Sequence, residues 1–248
     1  MDGSLISIIL AGGLGKRMKS DLPKVLHPLA GRPLVHHVID IAREVGSQRT
    51  ILVIGYKRHL VREATLASGV EWAVQERQLG TADAVRSCLP AITGYRGDIL
   101  ILSGDVPLLR PDTIRAALGL HRRTGAAVTV FTFIPVDPTG YGRVVRGTGG
   151  ELLRIVEQKD AQPDELKIPE VNGGVYIYRA DDLTGSLREV NDDNRAGEFY
   201  LTDTVAVLGR RGRRLSAHLV EDPMELAGVN SREQLAQLEQ ALERRSAG

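Results

Sequence analysis

Short apolar runs alternate with amphipathic stretches through the first half of the chain. Leu5–Leu10 is an apolar run broken only by Ser7, and Thr50–Ile54, Glu71–Val74 and Asp98–Leu102 repeat the theme as further strands. Between them, Pro33 to Val45 carries apolar residues at helical spacing, with proline in its first turn and Gly46 to close it. Further helices are expected around Arg58–Leu66, from near Thr81, and over Pro111–Thr124. Strand and helix in strict alternation is the pattern of βαβ units stacked into a parallel sheet, and Asp98–Leu102 reads as a buried strand of that type.

After Ala127–Phe133 the pattern changes. Tyr141–Arg146 and Glu151–Glu157 flank Gly147-Thr148-Gly149-Gly150 and predict a hairpin; Val171–Tyr178 and Leu215–Leu219 are additional strands. This half is expected to be mixed or antiparallel, a substrate-binding face added to a nucleotide-binding core. A last helix begins at Ser231, where Ser231-Arg232-Glu233-Gln234 has the form of a capping box, so Asn230 stands at a helix entrance. The expected organisation is one domain over 1–248, with a nucleotide-binding part at about 1–125, a substrate-binding part at about 126–230 and a terminal helix at 231–245.

Composition narrows the partners. Lys and Arg number 32 against 31 Asp and Glu, a net charge of +1, too balanced for affinity built on neutralising many nucleic-acid phosphates. The densest basic run, Arg210-Arg211-Gly212-Arg213-Arg214, reads as a solvated turn. One cysteine, Cys88, excludes an internal disulfide framework, is expected in the core, and suits a reducing, cytoplasmic setting. The first apolar run follows Asp2 and is too short for a signal peptide or a membrane span, so no membrane association is expected.

The candidate chemistry starts where β-type pattern gives way to Ala11-Gly12-Gly13-Leu14-Gly15-Lys16-Arg17-Met18. Glycines let a backbone fold around an anion and aim N–H groups at it, and Lys16, Arg17 and then Lys24 bring cations that a plain tight turn does not require. The loop lacks the Lys-Ser/Thr ending of a P-loop and the spacing of a dinucleotide fingerprint, which argues against an ATPase and a dehydrogenase. In open parallel sheets ligands bind beyond the carboxyl ends of the strands. Three segments fall there: the loop after Leu10, Gln75-Glu76 with Leu79-Gly80-Thr81, and Ser103-Gly104-Asp105-Val106-Pro107. Asp105 suits either a turn-forming role or a metal-ligating one. Beside a phosphate loop a single carboxylate suffices for Mg²⁺, which keeps waters and takes phosphate oxygens. His27, His36 and His37 complete no metal-ligand spacing, and no Gly-x-Ser-x-Gly elbow occurs, so covalent catalysis is not expected.

Taken together these segments resemble the sugar nucleotidyltransferase superfamily, and within it the N-terminal uridylyltransferase (pyrophosphorylase) domain of the bacterial bifunctional N-acetylglucosamine-1-phosphate uridylyltransferase / glucosamine-1-phosphate acetyltransferases. The broad match rests on Leu10–Met18, Ser20-Asp21-Leu22-Pro23-Lys24-Val25-Leu26-His27 and Gly104-Asp105-Val106-Pro107-Leu108. The narrower one rests on Asp137-Pro138-Thr139-Gly140-Tyr141-Gly142-Arg143 and on Tyr200-Leu201-Thr202-Asp203 within Gly197–Asp203, while Gln78-Leu79-Gly80-Thr81, Ile155–Ala161 and Gly228-Val229-Asn230 extend the match along the chain.

That resemblance implies a Rossmann-like α/β nucleotidyltransferase fold, with a mostly parallel central sheet flanked by helices and an added mixed or antiparallel sugar-binding part. It implies Mg²⁺-dependent transfer of UMP from UTP to N-acetylglucosamine 1-phosphate, giving UDP-N-acetylglucosamine and pyrophosphate, a step in making cell-wall precursors. By the same resemblance, Leu10, Ala11, Gly12, Gly13 and Gln75 hold the uracil and ribose, with Gly80 and Thr81 beside the base and Gly15, Ser103 and Gly104 completing the nucleotide site. Arg17 and Lys24 grip the triphosphate and form the catalytic set with Asp105, while Asp105 and Asn230 ligate Mg²⁺. Gly142, Glu157 and Asn172 bind the sugar, with Tyr200 and Thr202 nearby.

The sequence departs from the family pattern at Ser103, usually aromatic, at Gly173, commonly threonine, and at Ala82-Asp83, usually a small residue and histidine. No hexapeptide repeats occur in the chain, so no acetyl-CoA site is expected in it. Two other readings stay open. One is a nucleotidyltransferase for a different pair, such as glucose 1-phosphate with UTP or dTTP, or a cytidylyltransferase for an alcohol phosphate. The other is a non-catalytic sugar-nucleotide sensor.

Overall fold

The computed structural model describes residues 3–246. In chain order its strands are β1 (Leu5–Leu10), β2 (Pro28–Leu29), β3 (Arg32–Pro33), β4 (Arg49–Ile54), β5 (Glu71–Val74), β6 (Asp98–Ser103), β7 (Val128–Phe133), β8 (Arg143–Arg146), β9 (Leu152–Val156), β10 (Val171–Arg179) and β11 (Leu215–Leu219). The helices are α1 (Leu34–Glu44), α2 (Arg58–Ala64), α3 (Thr81–Arg86), α4 (Leu89–Ile92), α5 (Pro111–Thr124), α6 (Ala180–Leu187), α7 (Asp203–Arg210) and α8 (Arg232–Ser246).

β1 is apolar on both faces because it lies inside a sheet covered on both sides. Leu5 and Ile9 pack into one layer with Val35, Val38 and Ile39 of α1 and Ile114 of α5. Ile6 and Ile8 pack into the other with Val85 of α3, Leu183 of α6 and Val205 of α7. Alternating faces with helices on each side are what a near-continuous apolar strand requires. α8 closes a smaller cluster through Leu238, against Met18, Leu29, Leu34, Leu108 and Val229.

The sheet order is β11-β7-β10-β6-β1-β4-β5, with β8 paired to β10 and β9 to β8. β5, β4, β1 and β6 run parallel, and β11 is parallel to β7. β10 is antiparallel to both β6 and β7. The expected βαβ half and hairpin half are therefore both present. β6, expected as a strand of purely parallel type, instead has one parallel and one antiparallel neighbour.

Other differences have local causes. The first helix starts at Leu34, since Pro33 pairs in the small β2–β3 hairpin, whose turn places Ala30 and Gly31 at positive φ. The capping box forms by halves: Ser231 Oγ accepts from Gln234 N at 3.3 Å, but Gln234 Oε1 accepts from Asn230 N at 2.8 Å rather than from Ser231. The basic run is more than a solvated turn. Arg213 makes a bidentate pair with Asp182, Arg211 pairs with Glu189, and Arg214 donates to Thr124 O, so the segment after α7 is tied to α5 and to the α6 region. No helix among the described residues is long and apolar enough to cross a membrane.

Candidate active site

The glycine-rich loop leaves β1 while still held to the sheet. Ala11 N donates to Val53 O at 2.9 Å and Gly104 N donates to Leu10 O at 2.9 Å, so the loop and the segment after β6 share one floor. Gly15 then turns the chain at φ 58°, and a Cβ there would stand 2.9 Å from Lys24 Cβ. Glycine is thus needed twice, for the left-handed turn and for the close approach of the Lys24 segment. A short 3-10 turn at Lys16–Met18 buries Met18 and leaves Arg17 exposed at the mouth.

Four side chains meet there. Lys24 Nζ donates to Asp105 Oδ2 at 2.5 Å and to Asn230 Oδ1 at 3.1 Å, and an Arg17 guanidinium nitrogen donates to Asn230 Oδ1 at 3.0 Å. The Lys24 and Asp105 side chains are 19% and 16% exposed, so their charges face each other in a partly desolvated corner. Asp105 and Asn230 are 125 residues apart in the chain, but Val229 N donates to Asp105 O at 2.9 Å and pins the two loops together.

This corner suits Mg²⁺. Two oxygen donors, a carboxylate and an amide carbonyl, already converge on one cationic nitrogen. Among the described residues no group of three or more His, Cys, Asp or Glu forms an alternative metal cluster. A hard dication that keeps waters and takes phosphate oxygens needs no more from the protein.

Behind the corner lies a cleft of about 340 Å³ lined by Leu10–Leu14, Lys24, Gln75, Gln78, Gly80, Thr81, Ser103, Asp105 and Glu198, among others. The three segments expected beyond the strand ends do converge. Gly104 lies under this cleft and Gly15 behind the Lys24 turn, rather than on the lining. A larger crevice of about 770 Å³ opens at the other end of β6, around Asp98, Arg122, Asp182 and Arg213. Its charges pair with one another, Arg122 with Asp98 and Arg213 with Asp182, and no glycine-rich loop borders it.

The residues expected at the sugar group together on the flank built from β8, β9 and β10. Asn172 N donates to Gly142 O at 2.9 Å, and Thr202 Oγ1 donates to Glu157 Oε1 at 2.9 Å. A Cβ on Gly142 would stand 3.4 Å from Glu157 Oε2. Asn172 is engaged at both ends of its amide, donating to the Tyr176 hydroxyl at 2.7 Å and accepting from Gly174 N at 3.0 Å. Burial raises the pKa of Glu157, and the charges of Asp203, Asp160 and Glu198 add to this against the Thr202 bond. Burial likewise pushes up the Tyr200 hydroxyl, with the nearby Asp160, Glu157 and Glu198 carboxylates reinforcing it.

One extended segment joins the two flanks. Phe199 N donates to Leu79 O and Ala82 N to Phe199 O, both at 2.8 Å, while Leu201 N donates to Thr81 Oγ1 at 2.9 Å. Gly80, at φ 123°, has no room for a Cβ against the Phe199 backbone. Glu198 reaches the cleft through this pairing, which nothing local in the sequence signals. Gln78 could have been noticed, since it directly precedes Leu79-Gly80-Thr81.

The histidines behave as structural groups: His36 and His37 bond to the carbonyls of Ala64 and Leu29, and His27 is buried.

The model of the MobA-like NTP transferase domain matches residues 7–246. The bifunctional protein GlmU of Geobacter metallireducens is 48% identical over 236 residues, covering 95% of this chain and 50% of that protein. The same-named protein of Burkholderia mallei is 48% identical over 237 residues, covering 96% and 52%. That of Desulfotalea psychrophila is 42% identical over 244 residues, covering 98% and 72%. The chain thus spans about half the length of most of these curated relatives. Among solved structures, a UDP-glucose pyrophosphorylase complexed with UDP-glucose superposes with a TM-score of 0.75 at 16% identity, over 98% of this chain and 99% of that one, a likeness of fold. The chain belongs to the family of MobA-like NTP transferase domains.

Proposed function

We propose that this chain transfers UMP from UTP to N-acetylglucosamine 1-phosphate, releasing pyrophosphate and forming UDP-N-acetylglucosamine, with Mg²⁺ as its cofactor. The observation that carries the reading is the meeting of Arg17, Lys24, Asp105 and Asn230 at the mouth of a glycine-lined cleft. GlmU relatives 48% identical over nearly the whole chain support the choice of nucleotide and acceptor.

Two anions have to approach for a sugar-phosphate oxygen to attack the α-phosphorus, so catalysis is mainly alignment and charge neutralisation. The loop Leu10–Gly13 and Gln75 hold the uridine, and the exposed Arg17 guanidinium with the Lys24 ammonium faces the triphosphate. Asp105 and Asn230 hold Mg²⁺, which when bound neutralises phosphate charge. Gly142, Glu157, Asn172 and Thr202 take the acceptor sugar on the opposite flank, with Tyr200 beside them. A phosphate monoester is already a competent nucleophile near neutral pH, so no side chain is needed as general base. A single buried thiol suits action in the cytoplasm.

Incubation with UTP, N-acetylglucosamine 1-phosphate and Mg²⁺ should release pyrophosphate. A matrix of nucleoside triphosphates against sugar phosphates, read by the same assay, tests the pair directly. Release with none of them would overturn the reading, and a higher kcat/KM for another pair would replace this one.

A further inference from the structure

Gln75 leads from β5 into the cleft with only 6% of its surface exposed. A carboxamide has nearly the same shape when turned end for end, so its partners decide which end faces which way. Here both partners of one end are fixed in kind: Gly80 O lies at 3.0 Å and Asp83 Oδ2 at 2.9 Å. A carbonyl and an ionised carboxylate can only accept, so the end that meets them is the NH₂ group. The carbonyl oxygen is left on the other side, where a Cβ on Gly12 would stand 3.2 Å from it. Gly12 and Gln75 line the same cleft.

Asp83 is free to do this because its helical neighbour is committed elsewhere. Arg86, three residues on, donates to Leu187 O and Val190 O and lies over the Phe199 ring.

We propose that Asp83 is a positioning residue that sets base selectivity. By holding the Gln75 amide in one orientation it presents an acceptor to the nucleobase edge. That favours uracil or thymine, whose N3 carries a proton, over cytosine, whose N3 is itself an acceptor. Asp83 touches no substrate and acts through Gln75. The inference rests on the reading of this cleft as the nucleotide site.

Calorimetric affinities for UTP and CTP, each with Mg²⁺, test it in the wild type, in Asp83→Asn and in Asp83→Ala. Asp83→Asn keeps the shape but has one donor end and one acceptor end, so it no longer forces the NH₂ of Gln75 towards it and the Gln75 amide can turn over. The wild type should prefer UTP. The UTP/CTP ratio should fall roughly fivefold or more in both variants, at the scale one hydrogen-bond contact contributes to selectivity, with the Tm of Asp83→Asn unchanged. In turnover, the KM for UTP should rise while kcat stays near wild type, which a merely structural role would not produce. An unchanged ratio in both variants, or a wild type that does not distinguish the two bases, would overturn the proposal. If the wild type preferred UTP and both variants lost that preference, yet no pyrophosphate was released with any acceptor, the reaction would be refuted and the role of Asp83 would stand.

Discussion

Lys24 bonds to an acid and an amide at once, and Arg17 shares the same amide oxygen. Removing the acid should therefore disturb the reaction more than the fold, since Asp105 sits at the cleft edge rather than within a core layer. For Asp105→Ala, steady-state assays should show kcat lowered by roughly 10²–10³ or more, with uridine nucleotide affinity within about tenfold of wild type. Arg17→Ala should lower kcat by about 10² with no shift in Tm, because the side chain is exposed. Unchanged turnover in either variant would remove that residue from the mechanism. Glu157 gives a pH prediction. Its pKa is raised, chiefly by burial, so on acidification it takes up its proton earlier than an ordinary carboxylate and loses an acceptor for sugar hydroxyls. The KM for sugar phosphate, expressed relative to Glu157→Gln to cancel titration of the substrate, should rise as pH falls through that raised value. A ratio flat with pH would exclude the role. At this scale the sequence was informative where residue type alone implies chemistry, as for Lys24 and Asp105. It was silent where a partner comes from elsewhere in the fold. Each departure from the family pattern has such a partner: Asp83 accepts from Gln75, Ser103 Oγ donates to Gly174 O, and Leu226 fills the space that a Cβ on Gly173 would need.

Among the elements, the short 3-10 turn at Pro223–Leu226 leads directly into the Gly228-Val229-Asn230 segment. Its Glu225 is fully buried, and accepts from Arg110 N at 2.9 Å, Arg110 Nε at 2.8 Å and Thr113 Oγ1 at 2.7 Å, fixing the turn to the entrance of α5. Glu225→Ala leaves these donors without their acceptor and should cost about 2–4 kcal/mol in urea unfolding. It should also lower turnover beyond the loss of folded protein, because Asn230 loses its seat. A variant as stable as wild type would contradict the anchor. Helices and strands with a clear period were legible to within a residue or two, as Pro111–Thr124 and Leu215–Leu219 illustrate. The four residues of α4 and the two-residue strands β2 and β3 are too short to establish any period, and they exist because neighbours hold them.

For the molecule as a whole, the sheet with helices on both faces places Cys88 in the middle of one layer. It is fully buried, and burial pushes its thiol up to about 12. A thiol reagent should therefore leave the native protein unlabelled and react with one equivalent on unfolding, so that labelling follows the global opening equilibrium. Fast stoichiometric labelling without denaturant would contradict this burial. The α/β class was readable from alternation along the chain, and the antiparallel insertion from the hairpin signal at Gly147–Gly150. The order of strands was not, because which strand lies beside β6 is decided by packing between segments that are distant in sequence. That order matters beyond the fold. With a parallel neighbour on one side and an antiparallel one on the other, β6 is a boundary: the loops we assign to uridine lie towards β1, and the residues we assign to the acceptor sugar lie on the β10 side. The two flanks are also stapled to each other, by the pairing of Phe199 with Leu79 and by Ser103 Oγ on Gly174 O, so retargeting the chain to a different phosphorylated acceptor should require edits on the β10 flank that leave those bonds intact.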